Sequence, residues 1–206
     1  MIDGMLSVLI PAYNPDEHLR GILKSLTQQA KDYPFEVIIV DDGSDKPIDW
    51  VLEYPRVELW VQENGGEPSA RNTLLGLAKG EYFTFIDADD EISPEYLDIV
   101  FENMRQGWDW VSYDWTCDGH REWAQQTNEP LMINCAVWAY SFRWDVPNGE
   151  RFNEKLLVGC DVDWLHRVLK EEHTHTHDDR ELINYRWNGN ENSLCHRKLR
   201  GEFGGL

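Results

Sequence analysis

Short apolar runs alternate with amphipathic stretches through the first half of the chain. Residues 6–10, 35–40, 57–61 and 82–86 are rich in Val, Ile, Leu, Phe and Tyr, and each is too short for a buried helix. They read as strands. After the first, Leu19, Ile22, Leu23 and Leu26 repeat with helical spacing behind Asn14-Pro15-Asp16-Glu17. That tetrapeptide predicts a helix start with Asn14 as N-cap and Pro15 at the first helical position. A second helix is predicted over 68–78, closed by Gly80, and a third from Ser93-Pro94 to about Arg105. Strands with few polar residues, alternating with helices, predict a parallel sheet covered on both faces.

The pattern changes after Gly107. Residues 108–115 and 133–146 are aromatic and strand-like. Residues 161–170 place Val162, Leu165, Val168 and Leu169 on one helical face, and 173–177 and 181–186 predict two more strands. Mixed or antiparallel pairing is expected here, forming a wall for a second substrate. A short helix and a loose tail are expected after Asn190. The whole, residues 1–206, is read as one α/β domain with a smaller mixed part, its halves meeting near residue 105.

Three of the first-half strands run into polar tips: Asn14, then Asp41 and Asp42, then Asp87 and Asp89. Right-handed crossovers bring the carboxyl ends of parallel strands together, and open α/β sheets bind ligands there. Asp87 and Asp89 are two residues apart, so in extended backbone both leave the same side. Two hard oxygen donors at that spacing suit Mg²⁺ or Mn²⁺ shared with a ligand's phosphates. The alternative is an acidic turn that opens the next helix.

Composition narrows the partners. Formal net charge is -19, from 38 acidic and 19 basic residues, which disfavours nucleic acid and anionic lipid. The ten tryptophans could give flat platforms for sugar rings. Cys117, Cys135, Cys160 and Cys195 are far apart, without zinc spacing or a disulfide framework. No apolar run reaches membrane-spanning length, and Met1-Ile2-Asp3-Gly4 does not open a signal peptide, so a cytoplasmic protein without its own membrane anchor is expected. His173, His175 and His177 alternate and would share one face of a strand, as a solvated edge or, less readily, a Zn or Ni site.

Four motifs together resemble the family 2 glycosyltransferases of GT-A fold. They are residues 7–14 (Ser-Val-Leu-Ile-Pro-Ala-Tyr-Asn), residues 39–44 (Ile-Val-Asp-Asp-Gly-Ser), Asn64-Gly65-Gly66 with Ser69-Ala70-Arg71-Asn72, and Asp87-Ala88-Asp89-Asp90. Their order and intervals match over roughly the first 105 residues. The match is weaker through 153–167 and 185–193. The resemblance implies a Rossmann-like sheet and an inverting transfer of sugar from a nucleotide-diphosphate donor, UDP being favoured, to a glycan or glycoconjugate hydroxyl.

The resemblance also implies roles. Pro11, Ala12 and Tyr13 would line the nucleoside pocket, with Asn14 and Ala88 completing the donor contacts. Asp42 would accept from the uracil imide N–H and Asp41 would orient its loop. Gly65 and Gly66 would admit the ligand close to backbone, or form a plain turn. Arg71 would lie near the diphosphate, or form a helix-surface ion pair. Asp89 would hold the Mn²⁺ or Mg²⁺, and Asp87 the ribose or a metal-bound water. Asp161 matches the acceptor-activating base, or else caps its helix, and Asp163 is the substitute. Cys160 stands where the family has Glu. His196 and His177 are minor candidates near the metal. Two other readings share this sheet: a nucleotide-sugar or glycan binding module without turnover, and a sugar-1-phosphate nucleotidyltransferase. The latter wants an early Gly-rich basic loop, which Pro11-Ala12-Tyr13-Asn14 does not supply.

Overall fold

The computed structural model describes residues 1–120, 136–156, 158–170 and 172–187. The segment expected after Asn190, His196, Cys135, Cys195 and the start of the run at 133 lie outside the described residues.

The first half builds β1 (Ile2–Ala12), α1 (Glu17–Gln29), β2 (Phe35–Asp41), β3 (Val57–Val61), α2 (Glu67–Leu77), β4 (Gly80–Phe85), the short β5 (Glu91–Ile92) and α3 (Tyr96–Met104). The second contributes β6 (Trp110–Cys117), β7 (Tyr140–Arg143), α4 (Cys160–Val168) and β8 (His175–Tyr185). Among the described residues one eight-stranded sheet runs β3-β2-β1-β4-β7-β6-β8-β5. β3, β2, β1 and β4 are mutually parallel; β7 is antiparallel to β4 and β6, and β8 is parallel to β6. The fold is α/β, as the pattern predicts, with a mixed second part.

The order 3-2-1-4 contains the feature that matters for function. From β1 the chain moves outward to β2 and β3, then returns to the other side of β1 for β4. The carboxyl ends of β1 and β4 therefore flank a switch point, where an open sheet leaves a crevice. All seven residues of β2 are buried, consistent with cover on both faces. In α1 the buried residues are Leu19, Ile22, Leu23 and Leu26, the four that the spacing selected.

Several boundaries differ from the sequence expectation. Asn14 is not the cap of α1: it turns through positive φ (46°), and Asp16 is the N-cap, accepting from the His18 N–H at 2.8 Å. An amide in that turn bonds the next loop instead, so the carboxylate two residues on serves the helix. Gly80 does not close α2; it opens β4, where a Cβ would lie 2.7 Å from Met5 O and Ser7 N. The strands expected at 173–177 and 181–186 are one strand, β8, whose pairing with β6 shifts register around Asp114. In the described part of the run at 133–146, the strand is Tyr140–Arg143, preceded by a 3-10 turn at Val137–Ala139.

Aromatic packing fixes the second half on the first. Phe142 of β7 stacks on Phe83 of β4 at 5.2 Å, and the fully buried Trp164 of α4 meets Phe142 edge-on at 5.3 Å and stacks on Phe152 at 4.7 Å. These contacts anchor α4 so that its N-terminus faces the switch point.

Candidate active site

Two acidic tips stand at the carboxyl ends of β2 and β4. At β2, Asp41 accepts from the Ser44 N–H at 2.9 Å and so shapes its own loop. Asn14 joins this loop, donating to Ser44 Oγ through its backbone at 2.8 Å and to Asp45 Oδ2 at 3.0 Å. Asp42 is buried. Its Oδ1 accepts from Gln62 Nε2 at 2.7 Å and the Gly65 N–H at 2.9 Å, and its Oδ2 from the Gly66 N–H at 2.8 Å. Gly65 permits this approach, since a Cβ there would meet Ser69 Oγ at 2.7 Å. Gly66 is the N-cap of α2, so the Asp42 carboxylate also faces the positive end of a helix. Pro11 and Ala12 are buried beside it and Tyr13 is exposed.

At β4, the strand runs into Asp87, Ala88, Asp89 and Asp90. Carboxylate oxygens of Asp87, Asp89 and Asp90 lie within 4.8 Å of one another. Asp90 is buried; its Oδ1 accepts from the Arg186 N–H at 3.0 Å, and its Oδ2 has no hydrogen-bond partner among the described residues. Burial, then the charges of Asp87 and Asp89, push Asp90 well above the ordinary carboxylate value. Burial also lifts Asp87 to about 6, against the pull of Arg71 and with the push of Asp89 and Asp161. Three crowded carboxyls with an orphaned buried oxygen are a donor set that suits a hard divalent cation.

Arg71 of α2 links this tip to the second half. Its side chain is 1% exposed. Nη2 pairs with Asp87 Oδ1 at 2.9 Å and with Glu67 Oε1 at 2.6 Å, and Nη1 pairs with Asp161 Oδ1. Phe85 and Phe152 hold the guanidinium, their ring centres 5.8 and 5.6 Å from Cζ. Burial works against the Arg71 charge, yet Asp161, Glu67 and Asp87 hold it well above its ordinary pKa. Arg71 is thus an internal bridge and not a helix-surface pair.

Asp161 lies in the first turn of α4. It does not cap that helix: the N-cap is Gly159, in left-handed conformation, and Asp161 Oδ2 accepts from the Val137 N–H at 3.2 Å. The Cys160 thiol points at Asp161 Oδ1 from 3.4 Å, and burial pushes its pKa up, keeping it a neutral thiol. Asp163 is turned away into an i,i+4 pair with Arg167 at 2.8 Å.

Two neighbours of the site were not legible in the sequence. Arg186 donates from Nη1 to Asp89 O at 3.2 Å and to His18 Nδ1 at 2.7 Å, which puts a cation beside the β4 tip. Glu67 is a first-turn residue of α2, and its one signal was the i,i+4 spacing to Arg71. His173, just before β8, and His175 and His177 on it do not form a metal set. His175 stacks on Trp110 at 4.2 Å, His177 bonds Ser112 at 3.0 Å and Asp114 at 3.1 Å, and His173 lies 3.9 Å from Asp109.

Parts of the chain are similar to known proteins. GlyA, a glycosyltransferase of Streptococcus pneumoniae, is 34% identical over 110 residues, covering 50% of this chain and 16% of GlyA. The glycosyltransferase YibD of Escherichia coli is 40% identical over 100 residues, covering 46% of this chain and 29% of YibD. The chain therefore spans less than a third of either relative. In fold it is similar to Staphylococcus aureus TarS in complex with UDP-GlcNAc, with a TM-score of 0.73 at 21% identity, over 88% of this chain and 58% of that one. No described helix is long and apolar enough to cross a membrane. The model of glycosyl transferase family 2 matches residues 7–174, a span that holds both acidic tips, Arg71 and Asp161. The chain belongs to glycosyl transferase family 2.

Proposed function

We propose that this chain carries the donor site and base of an inverting glycosyltransferase, which moves a sugar from a UDP-sugar to a hydroxyl of a glycan or glycoconjugate. The observation that carries this reading is the Arg71 bridge. One buried guanidinium joins Asp87, a member of the cation-suited cluster, to Asp161 on a helix of the other half. The bridge ties the carboxylate of the donor half to the carboxylate of the acceptor half through one cation. The crystal structures of TarS with UDP and with UDP-GlcNAc support the choice of nucleotide.

In this reading the first 105 or so residues bind donor and the rest receive acceptor. Pro11, Ala12, Tyr13 and Asn14 border the nucleoside, Asp41 shapes the loop, and Asp42 faces the base imide. Gly65 and Ala88 allow close approach. Asp89 and Asp87 would hold Mn²⁺ or Mg²⁺, and the fit rests on their proximity to Asp90 and its orphaned oxygen. A bound cation would offset charge on the departing diphosphate. Asp161 accepts the proton of the acceptor hydroxyl. The hydroxyl oxygen forms its bond to the anomeric carbon as the bond to the nucleotide phosphate oxygen breaks on the opposite side, inverting that carbon. Arg71 orients Asp161 while it does so.

A second reading has its own support. Both Asp161 oxygens already accept hydrogen bonds, and its neighbour is a neutral thiol, as in a domain that binds a nucleotide sugar without turning it over. UDP release from a panel of UDP-sugars, with Mn²⁺ and then with EDTA, separates these. Turnover lost in EDTA and restored by Mn²⁺ is expected. Turnover indifferent to EDTA would remove the metal's role, and calorimetric UDP binding without turnover would favour the binding module. A cytoplasmic location is part of the proposal, and cell fractionation tests it.

A further inference from the structure

Glu67 is the carboxylate at this site to which no role has yet been given. It occupies the first turn of α2, one residue after Gly66, whose N–H holds Asp42. Its Oε1 is 2.6 Å from Arg71 Nη2, the same nitrogen that meets Asp87 at 2.9 Å. Arg71 Nε has no hydrogen-bond partner among the described residues. Between the Phe85 and Phe152 rings, the in-plane orientation of the guanidinium therefore depends on the hydrogen bonds of its two Nη groups. Nη1 is held on Asp161, and Nη2 is shared between Asp87 and Glu67. Because the guanidinium is buried, water cannot substitute for a lost acceptor. Without Glu67, Nη2 would be drawn onto Asp87 alone, and the guanidinium would pivot about its remaining contacts.

We propose that Glu67 is a positioning residue for sugar transfer: by accepting from Arg71 Nη2 it fixes the guanidinium, and with it the placement of Asp161 relative to Asp87. The role rests on the transferase reading above. The groups facing Glu67 are Arg71 from its own helix, Asp87 and Asp89 from the β4 tip and Asp161 from α4. In that company burial, opposed by Arg71 and reinforced by the three aspartates, lifts Glu67 to about 8. One oxygen of Glu67 meets Nη2, and a glutamine carbonyl can occupy the same place, which makes Gln the conservative variant and Ala the disruptive one.

The test is steady-state hydrolysis of UDP-GlcNAc and UDP-glucose in Mn²⁺ at pH 7, with water as acceptor and UDP release as the signal. Glu67→Ala is expected to lower kcat about tenfold while donor KM moves less than about threefold, since the lesion is in orientation and not in donor binding. Glu67→Gln is expected to stay within about threefold of the parent because its carbonyl still accepts from Nη2. An unchanged kcat in Glu67→Ala would overturn the proposal. So would a Gln variant as impaired as Ala, or parallel losses of kcat, donor KM and thermal midpoint, which would mark a purely structural contact. A parent protein that hydrolyses neither donor would instead fail the transferase reading and this role with it, whereas an active parent with an indifferent Glu67→Ala fails this role alone.

Discussion

The tips of β2 and β4 look alike in sequence and are opposite in physics. Each is an apolar strand running into adjacent carboxylates at the same edge of one sheet. At β2, Asp42 is met by two backbone N–H groups and a glutamine amide, and lies at the start of a helix. Its charge is satisfied by the protein itself. At β4, three carboxyls crowd together, one buried oxygen has no described partner, and burial raises Asp87 and Asp90. That charge is not satisfied, and Arg71 balances it in part only by bringing in Asp161 and Glu67 as well. A satisfied acidic loop is built to hold a shape for recognition; a crowded one is built to take up positive charge.

The sharpest way to break this contrast is to separate chemistry from recognition. Asp161→Asn is expected to lower transfer about a thousandfold, within the range for loss of a general base, while UDP affinity measured by calorimetry is retained. Asparagine keeps one acceptor oxygen, for Arg71 or for the Val137 N–H, and turns an NH2 toward the other donor, so the thermal midpoint is measured beside the rate to separate lost chemistry from lost fold. A variant that turns over at the parental rate would move the base elsewhere. Asp42→Asn should do the reverse, at smaller scale. An amide presents one acceptor oxygen where the carboxylate presents two, so an N–H of Gly65 or Gly66 faces a donor. Unfolding in urea should register a loss of about 1–3 kcal/mol, and UDP affinity should fall with it. Unchanged stability would mean that Asp42 is not the clasp of its loop.

The two tips were also unequally legible in the sequence. Residues 35–40 announced β2 because every position is apolar or flanked by apolar residues, and a doubly covered strand leaves no ambiguity of face. The Asp87-x-Asp89 spacing announced the β4 tip for an equally local reason. What completed the site was not local. Arg186 reaches His18 across 168 positions, and Arg71 reaches Asp161 across 90. Such contacts follow from strand order, which periodicity does not encode. The second half was harder for the same reason. β6 and β8 pair with a register shift, so one strand carried the signature of two, and the alternating His173, His175 and His177 read as a solvated edge or, less readily, a ligand set. Each in fact has its own partner on or beside β6. Asn14 misled at closer range, because a turn through positive φ moved the cap to Asp16.

The mildest test of the contrast is also the most direct reading of unsatisfied charge. Asp87 is held up to about 6 and Glu67 up to about 8, burial being the first cause in each, against ordinary values of 3.8 and 4.5. A carboxyl whose pKa is higher in the folded state binds its proton more tightly there than in the unfolded chain. The stability it contributes is complete below the unfolded value and is lost as pH rises through the folded one. The window thus opens near 4 and closes near 8, the opposite of the usual salt-bridged carboxylate. Metal-free protein is expected to lose about 1–2 kcal/mol of unfolding free energy between pH 5 and pH 8, after discounting for coupling among the groups. Mn²⁺ at pH 8 should restore it, because a cation can replace the protons. Asp87→Asn, with one carboxylate fewer in the cluster, should flatten the profile. If the metal-free protein were instead as stable at pH 8 as at pH 5, or if D87N kept the full slope, the β4 tip would be as self-sufficient as its neighbour on β2, and its crowding would no longer argue for a cation.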